Sequence, residues 1–135
     1  MILKLKIYLV ANFESREIAN KVQKYLDSKY YDVVLFHEYD NYILDSMAVS
    51  NIINNNIKNN IAFMFCNNAS NLVFATQATP GVKNIIIDKC ENLYESLFLN
   101  ANILTFSEKN FDETKILKII DYYLELFEQG DKLFY

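Results

Sequence analysis

Ile61-Ala-Phe-Met-Phe-Cys66-Asn-Asn-Ala-Ser-Asn-Leu72-Val-Phe-Ala75-Thr76-Gln-Ala-Thr-Pro80-Gly81-Val82 holds a complete structural unit. Its first five residues are apolar without a break, as a strand covered on both faces requires, and the run ends on Cys66. A helical pattern then passes through Leu72 to Thr76 and stops at Pro80-Gly81, a pair that cannot continue a helix. A new apolar run, Val82–Ile87, begins at once. The reading is strand, helix, strand.

The same alternation extends in both directions. Apolar runs lie at Leu3–Val10, Asp32–Phe36, Ile61–Phe65, Val82–Ile87 and Ile103–Phe106, with amphipathic stretches between and after them. Ile18, Val22 and Leu26 recur at a spacing of four, with Glu14 and Glu17 near the helix start where they favour the dipole. Leu44, Ala48 and Ile52 mark a second helix, and Leu93 and Leu97 a fourth. The last helix has the strongest stripe, Ile116, Ile120, Tyr123, Leu124 and Phe127; Asp112 and Glu113 open it and Gly130 is expected to end it. No linker, repeat or charge block interrupts the series. The expected architecture is one domain over residues 1–135: an α/β, three-layer, Rossmann-like (βα)5 fold with a five-stranded parallel sheet and helices on both faces.

Composition excludes most familiar chemistry. The 135 residues include one Arg (Arg16), one His (His37), one Pro, two Gly (Gly81, Gly130), two Cys (Cys66, Cys90) and no Trp, with a net charge of −4. Two distant glycines make neither a dinucleotide-binding turn nor a phosphate loop. One histidine and two separated cysteines give no metal site, and no nucleophile motif accompanies His37. An acidic chain with a single arginine lacks the cationic footprint of a nucleic-acid binder. No run approaches a membrane span or a signal peptide, and the cysteine usage fits a reducing compartment, so a cytoplasmic protein without a cofactor is expected. The 17 asparagines read as compositional drift, because apolar periodicity persists through them.

In an open parallel sheet, ligands bind beyond the carboxyl ends of the strands, where strand order reverses. The loops expected there are Ala11–Ser15, His37–Tyr42, Cys66–Asn71, Asp88–Cys90 and Ser107–Asn110. Cys66 stands out: a thiol after a strand and at the foot of a helix meets backbone N–H groups and a helix dipole that favour a thiolate. The structural alternative is a small buried apolar residue. Arg16, just inside the first helix, could reach a ligand, and Lys83 could supply a point charge, but both read first as solvated surface cations, and His37 as an ordinary loop residue.

At this loop the chain resembles the family of ribose-5-phosphate isomerase B and the two subunits of galactose-6-phosphate isomerase. The family pattern is an apolar strand, C-G-T-G-x-G, a helix ending near A-A-N-K, then G-I-R; here Cys66 to Lys83 follow it without a gap. Ala75-Thr76 and Leu44-Asp-Ser-Met-Ala-Val49 look most like the galactose-6-phosphate isomerase A subunit, and Asn100-Ala-Asn102-Ile-Leu104 resembles H-N-x-A-N-V-L. The resemblance implies aldose–ketose isomerisation of a phosphorylated sugar through an enediolate. It places Cys66 as the base, Asn67 and Asn68 in the oxyanion turn, and Asn12, Ser70, Asn71, Asn102 and Lys132 around the substrate. It also shows losses: Asn12-Phe13 replaces D-H, Phe98 replaces the ring-opening histidine, the turn glycines and threonine are gone, and Asp131 stands where an arginine belongs. Family sites are built between subunits. A homodimer, a homotetramer or a hetero-oligomer with a related subunit is therefore implied, and a partner could supply the missing His and Arg. The aromatic tail Leu133-Phe-Tyr135 would suit such docking. A catalytically silent binding or scaffolding member is the alternative, and a flavodoxin-like domain of unrelated function a third reading.

Overall fold

A computed structural model of the chain describes residues 5–87, 100–107 and 112–134. In chain order the elements are β1 (Lys6–Ala11), a short 3-10 turn (Phe13–Ser15), α1 (Arg16–Ser28), β2 (Asp32–Leu35) and α2 (Tyr42–Asn55). They continue with β3 (Asn60–Phe65), α3 (Ala69–Thr76), β4 (Asn84–Ile87), β5 (Ile103–Phe106) and α4 (Glu113–Phe134). The five strands form one parallel sheet in the order β2-β1-β3-β5-β4. The stretch containing Leu93 and Leu97 lies outside the described residues.

Alternation along the strands divides the core in two. Ile7, Leu9, Ile61, Phe63, Phe65, Leu104 and Phe106 face α1 and α4, where Val22, Leu26, Ile116, Ile120 and Tyr123 meet them. Tyr8, Val10, Ala62, Met64 and Ile103 face the other way, against Val49, Ile53 and Leu72 of α2 and α3. Each fully buried aliphatic side chain contributes roughly 1.5–3 kcal/mol. The expected three layers are therefore present, with both faces of the sheet dry. The order differs from 2-1-3-4-5, the doubly wound order of flavodoxin, because β5 inserts between β3 and β4. The flavodoxin-like reading fails on that point.

Two expectations about the helices need correction. The buried face of α2 is Asp45, Ser46, Val49, Ser50 and Ile53, while Leu44 is exposed and Ala48 and Ile52 are half-buried. The face is rotated by one residue because small polar groups can be buried when locally satisfied. Ser46 Oγ donates to the Tyr42 carbonyl at 2.6 Å, Ser50 Oγ to the Ser46 carbonyl at 2.8 Å, and Asp45 accepts the Tyr39 N–H at 2.9 Å. Gly130 does not end α4, which continues to Phe134. Glycine costs a helix about 1 kcal/mol relative to alanine, yet unlike proline it keeps its N–H and does not break the helix.

The asparagines also do more than dilute the sequence. Asn41 caps α2 by accepting the Ile43 and Leu44 N–H groups, and Asn60 donates to the Ile52 and Asn56 carbonyls where α2 ends. Asn84 donates to Thr76 Oγ1 at 3.0 Å and accepts from Thr105 Oγ1 at 2.6 Å, tying α3, β4 and β5 together. Only Gly81 fills a left-handed turn position as glycine, at φ +77°. A Cβ there would lie 2.7 Å from Ile57 Cδ1 and 3.0 Å from Asn54 Oδ1. Gly81→Ala is expected to cost about 1–2 kcal/mol, mostly as left-handed strain, read as a lower urea midpoint at unchanged slope.

Two phenols tie α4 to the rest of the fold. Tyr123 is fully buried and donates to the Ala101 carbonyl, and Tyr31 donates to Glu128 Oε1 at 3.0 Å. Burial, and then the Glu128 carboxylate, push the Tyr31 phenol up to about 12; burial raises Tyr123 as well. A phenol whose pKa is raised in the folded state stabilises the fold below its unfolded value near 10. That contribution is lost as pH climbs from 10 towards about 12. Urea midpoints are expected to hold up to pH 10 and fall above it, with a shallower fall in Tyr31→Phe. Equal slopes in the two proteins would remove Tyr31 from the effect.

Candidate functional site

Strand order reverses beside β1, since the chain steps to β2 on one side and returns to β3 on the other. The carboxyl ends of β1 and β3 are paired there, Ala11 opposite Phe65, and the Asn12 N–H donates to the Phe65 carbonyl at 3.2 Å. Asn12 and Cys66 thus leave the sheet side by side. This is the location that topology alone assigns to a ligand.

Cys66 is 1% exposed and packs in the α2–α3 half of the core. The N–H of Asn68, two residues on, donates to its sulfur at 3.3 Å, and Asn68 is also the residue from which α3 begins. A backbone donor on sulfur at a helix start is a group that steadies negative charge on that atom. The Asn67 side chain does not face the sulfur. It donates across the gap to the Glu14 carboxylate, linking the loop after β3 to the loop after β1. Ser70 and Asn71 occupy the exposed first turn of α3. Asn12 spends its side-chain oxygen on the Ser15 N–H at 3.1 Å, as a cap for the turn that follows. Ser15 is the one buried side-chain polar atom without a hydrogen-bond partner among the described residues.

Asn102 is not brought to this group. It precedes β5, so it lies at the amino end of the sheet, where its carbonyl accepts the Ala62 N–H at 3.0 Å. Cys66 is four residues further along β3, about 13 Å away at ~3.3 Å per strand residue. Both ends of the Asn102 amide are occupied: Oδ1 accepts the Lys83 N–H at 2.9 Å and Nδ2 donates to the Gly81 carbonyl at 3.0 Å. Within one chain its geometry is that of a loop pin. The side chains of Lys132 and of the tail, and the loops at Asp88–Cys90 and 108–110, lie outside the described residues.

The open space beside the switch point is a cleft of about 420 Å³ between the loops after β1 and β2. Asn12, Phe13, Glu14, Arg16, Asp40 and Tyr42 are among the residues that line it. Arg16 is thus turned into the cleft, contrary to the reading of a solvated helix residue. Its Nη2 meets Asp40 Oδ1 at 2.5 Å, and its guanidinium lies 5.9 Å from the centre of the Phe13 ring. The signal available in the sequence was that the only arginine follows directly on a loop already assigned to the site. Its pairing with Asp40, 24 residues away, could not be read there. His37 is an exposed loop residue, and Lys83 is exposed at the opposite end of the sheet.

Neither a protein-family model nor a curated protein sequence matches this chain. Solved structures do. The chain superposes on ribose-5-phosphate isomerase B of Mycoplasma genitalium, solved with bound ribulose-5-phosphate, with a TM-score of 0.81. Identity is 17%, and the match covers 98% of this chain and 95% of that one. The chain has the ribose-5-phosphate isomerase B fold. The enzyme of that name from Clostridium thermocellum matches with a TM-score of 0.78 at 18% identity, over 89% of this chain and 84% of its own. That from Giardia lamblia matches with 0.75 at 14%, over 89% and 94%. The isomerase B fold thus spans nearly the whole chain while fewer than one residue in five is shared, so the likeness lies in backbone and layers. No helix among the described residues is long and apolar enough to cross a membrane.

Proposed function

We propose that the chain is an aldose–ketose isomerase-type protein for phosphorylated sugars, with Cys66 as the base, working as part of an oligomer. The observation that supports this most directly is the position of Cys66, at the switch point beside Asn12, with the Asn68 N–H on its sulfur at 3.3 Å. The Mycoplasma genitalium structure of the same fold holds ribulose-5-phosphate. As a thiolate, Cys66 takes the proton from C2 of the open-chain aldose and the electrons pass to the carbonyl oxygen as an enediolate; the O2 hydroxyl proton passes to O1 through solvent, and return of a proton from the Cys66 thiol to C1 leaves the ketone at C2. Asn68 steadies the sulfur, and Asn67 with Glu14 holds the two loops in register. A second chain, identical or related in the manner of the galactose-6-phosphate isomerase subunits, supplies groups that the degenerate motifs lack.

One observation favours a second reading, a binding or scaffolding member without turnover. Cys66 belongs to the core cluster and is 1% exposed, which is how a structural cysteine sits. The two readings separate in one experiment: loss of the C2-proton signal of ribose 5-phosphate or galactose 6-phosphate in D₂O, followed by NMR with the purified protein. Exchange that depends on Cys66 establishes the isomerase. Absence of exchange at high protein concentration establishes the second reading for this chain alone, and addition of a related subunit then decides whether activity needs a partner.

A further inference from the structure

We propose that Arg16 is the phosphate-binding group of the cleft and that Asp40 is its built-in competitor, a latch that an incoming phosphate opens. The inference rests on the sugar-phosphate reading above and adds a ligand residue to it. Arg16 is the only arginine of the chain and the only cation among the residues lining the cleft. Phe13, 84% exposed, lies against its guanidinium and limits where the fork can turn. The remaining charges in the cleft are acidic and each is already engaged, Glu14 by the Asn67 amide and Asp40 by Arg16 itself.

The Arg16–Asp40 contact is a poor candidate for a stabilising bridge. The Asp40 side chain is 81% exposed, and exposed pairs of this kind contribute about 0–1 kcal/mol. It joins the first residue of α1 to a loop residue held at φ +49°, so it links the two loops that line the cleft. A guanidinium presents parallel donors that fit two phosphate oxygens at once, and a phosphate dianion carries more charge than one carboxylate. Phosphate therefore displaces Asp40 at small cost, and the vacated carboxylate turns to water. In the absence of ligand the same carboxylate keeps weak monoanions off the site.

Calorimetric titration with inorganic phosphate, ribose 5-phosphate and ribose tests the latch without requiring turnover. Phosphate and ribose 5-phosphate are expected to bind and ribose not to. Asp40→Asn is expected to tighten inorganic phosphate roughly 3- to 10-fold, and Arg16→Gln to weaken it at least ~10-fold. Lys83→Gln, at the other end of the sheet, is expected to leave it unchanged. Tighter binding of ribose 5-phosphate than of phosphate would extend the site to the sugar; equal affinities would confine it to the phosphate group. The latch is overturned by equal phosphate affinities in wild type, Asp40→Asn and Arg16→Gln, or by no binding at tens of millimolar. Following C2-proton exchange in the wild-type protein beside the titration separates the two claims. The affinity pattern in a protein that exchanges no C2 proton retains the latch and removes the isomerase reading, and exchange without the pattern does the reverse.

Discussion

Cys66→Ala is expected to abolish exchange of the C2 proton, by at least ~10²-fold, because a positioned acid–base group contributes about 10² to 10⁴ in rate. No other described side chain stands in the same place. Asn67 is turned to Glu14 and Asn12 to Ser15, and neither amide accepts a proton at neutral pH. The variant should still fold, since exchanging a buried thiol for a methyl group removes one atom from the α2–α3 half of the core, and the Asn68 N–H that loses its sulfur acceptor belongs to an exposed residue. Cys66→Ser adds a finer test. Serine preserves size but has a far weaker acid on its side chain, so exchange should fall nearly as far, while the Asn68 N–H keeps an acceptor. Activity retained in both variants would remove Cys66 from the chemistry and return it to the core.

The second large effect is on stability. Asn102→Ala is expected to cost about 2–4 kcal/mol, because it strands the Lys83 N–H and the Gly81 carbonyl in a site where Asn102 is only 4% exposed. For a domain of this size the midpoint of thermal unfolding should fall by about 10 °C. Asp in place of Asn keeps the Lys83 contact and loses the donor to Gly81, so it should fall between wild type and alanine. The resemblance at Asn100-Ala-Asn102-Ile-Leu104 placed Asn102 near a substrate, and its position at the amino end of the sheet gives it a different task within the chain. Proton exchange measured well below the melting temperature separates the two. Unchanged exchange leaves Asn102 a pin for the β4–β5 entry; lost exchange with an unchanged melting curve would place it at a site built by a neighbouring chain.

The pin at Asn102 also shows how much could be read in advance. The five strands, the direction of the sheet and the three layers follow from short apolar runs alternating with helical stripes, because a strand with both faces covered admits few polar residues. The placement of β5 inside β4 leaves no mark in that pattern. It depends on which carbonyls and amides the ends of the strands can satisfy, and Asn84 with Thr76 and Thr105, and Asn102 with Gly81 and Lys83, provide those partners across 8 to 21 positions of sequence. The rotation of α2 escaped for a related reason. Periodicity counts apolar residues, and it cannot register that Ser46 and Ser50 are buried with their hydroxyls turned back onto their own helix.

The site divides along the same line. Cys66 and the loops around it were legible because a strand end, a thiol and a helix start are neighbours in the chain. Asn67 was legible as a member of the turn but not as the partner of Glu14, 53 positions away, and Arg16 was visible as the single arginine but not as one wall of a cleft closed by Asp40. Local patterning by itself determined the elements and the fold class and pointed to one end of the sheet for the candidate site, since apolar spacing and helix boundaries are properties of neighbouring residues. The tertiary structure alone decided strand order, the buried face of α2 and the pairing of charges around the cleft. Each of those depends on which distant groups come within hydrogen-bonding distance once the backbone has closed on itself.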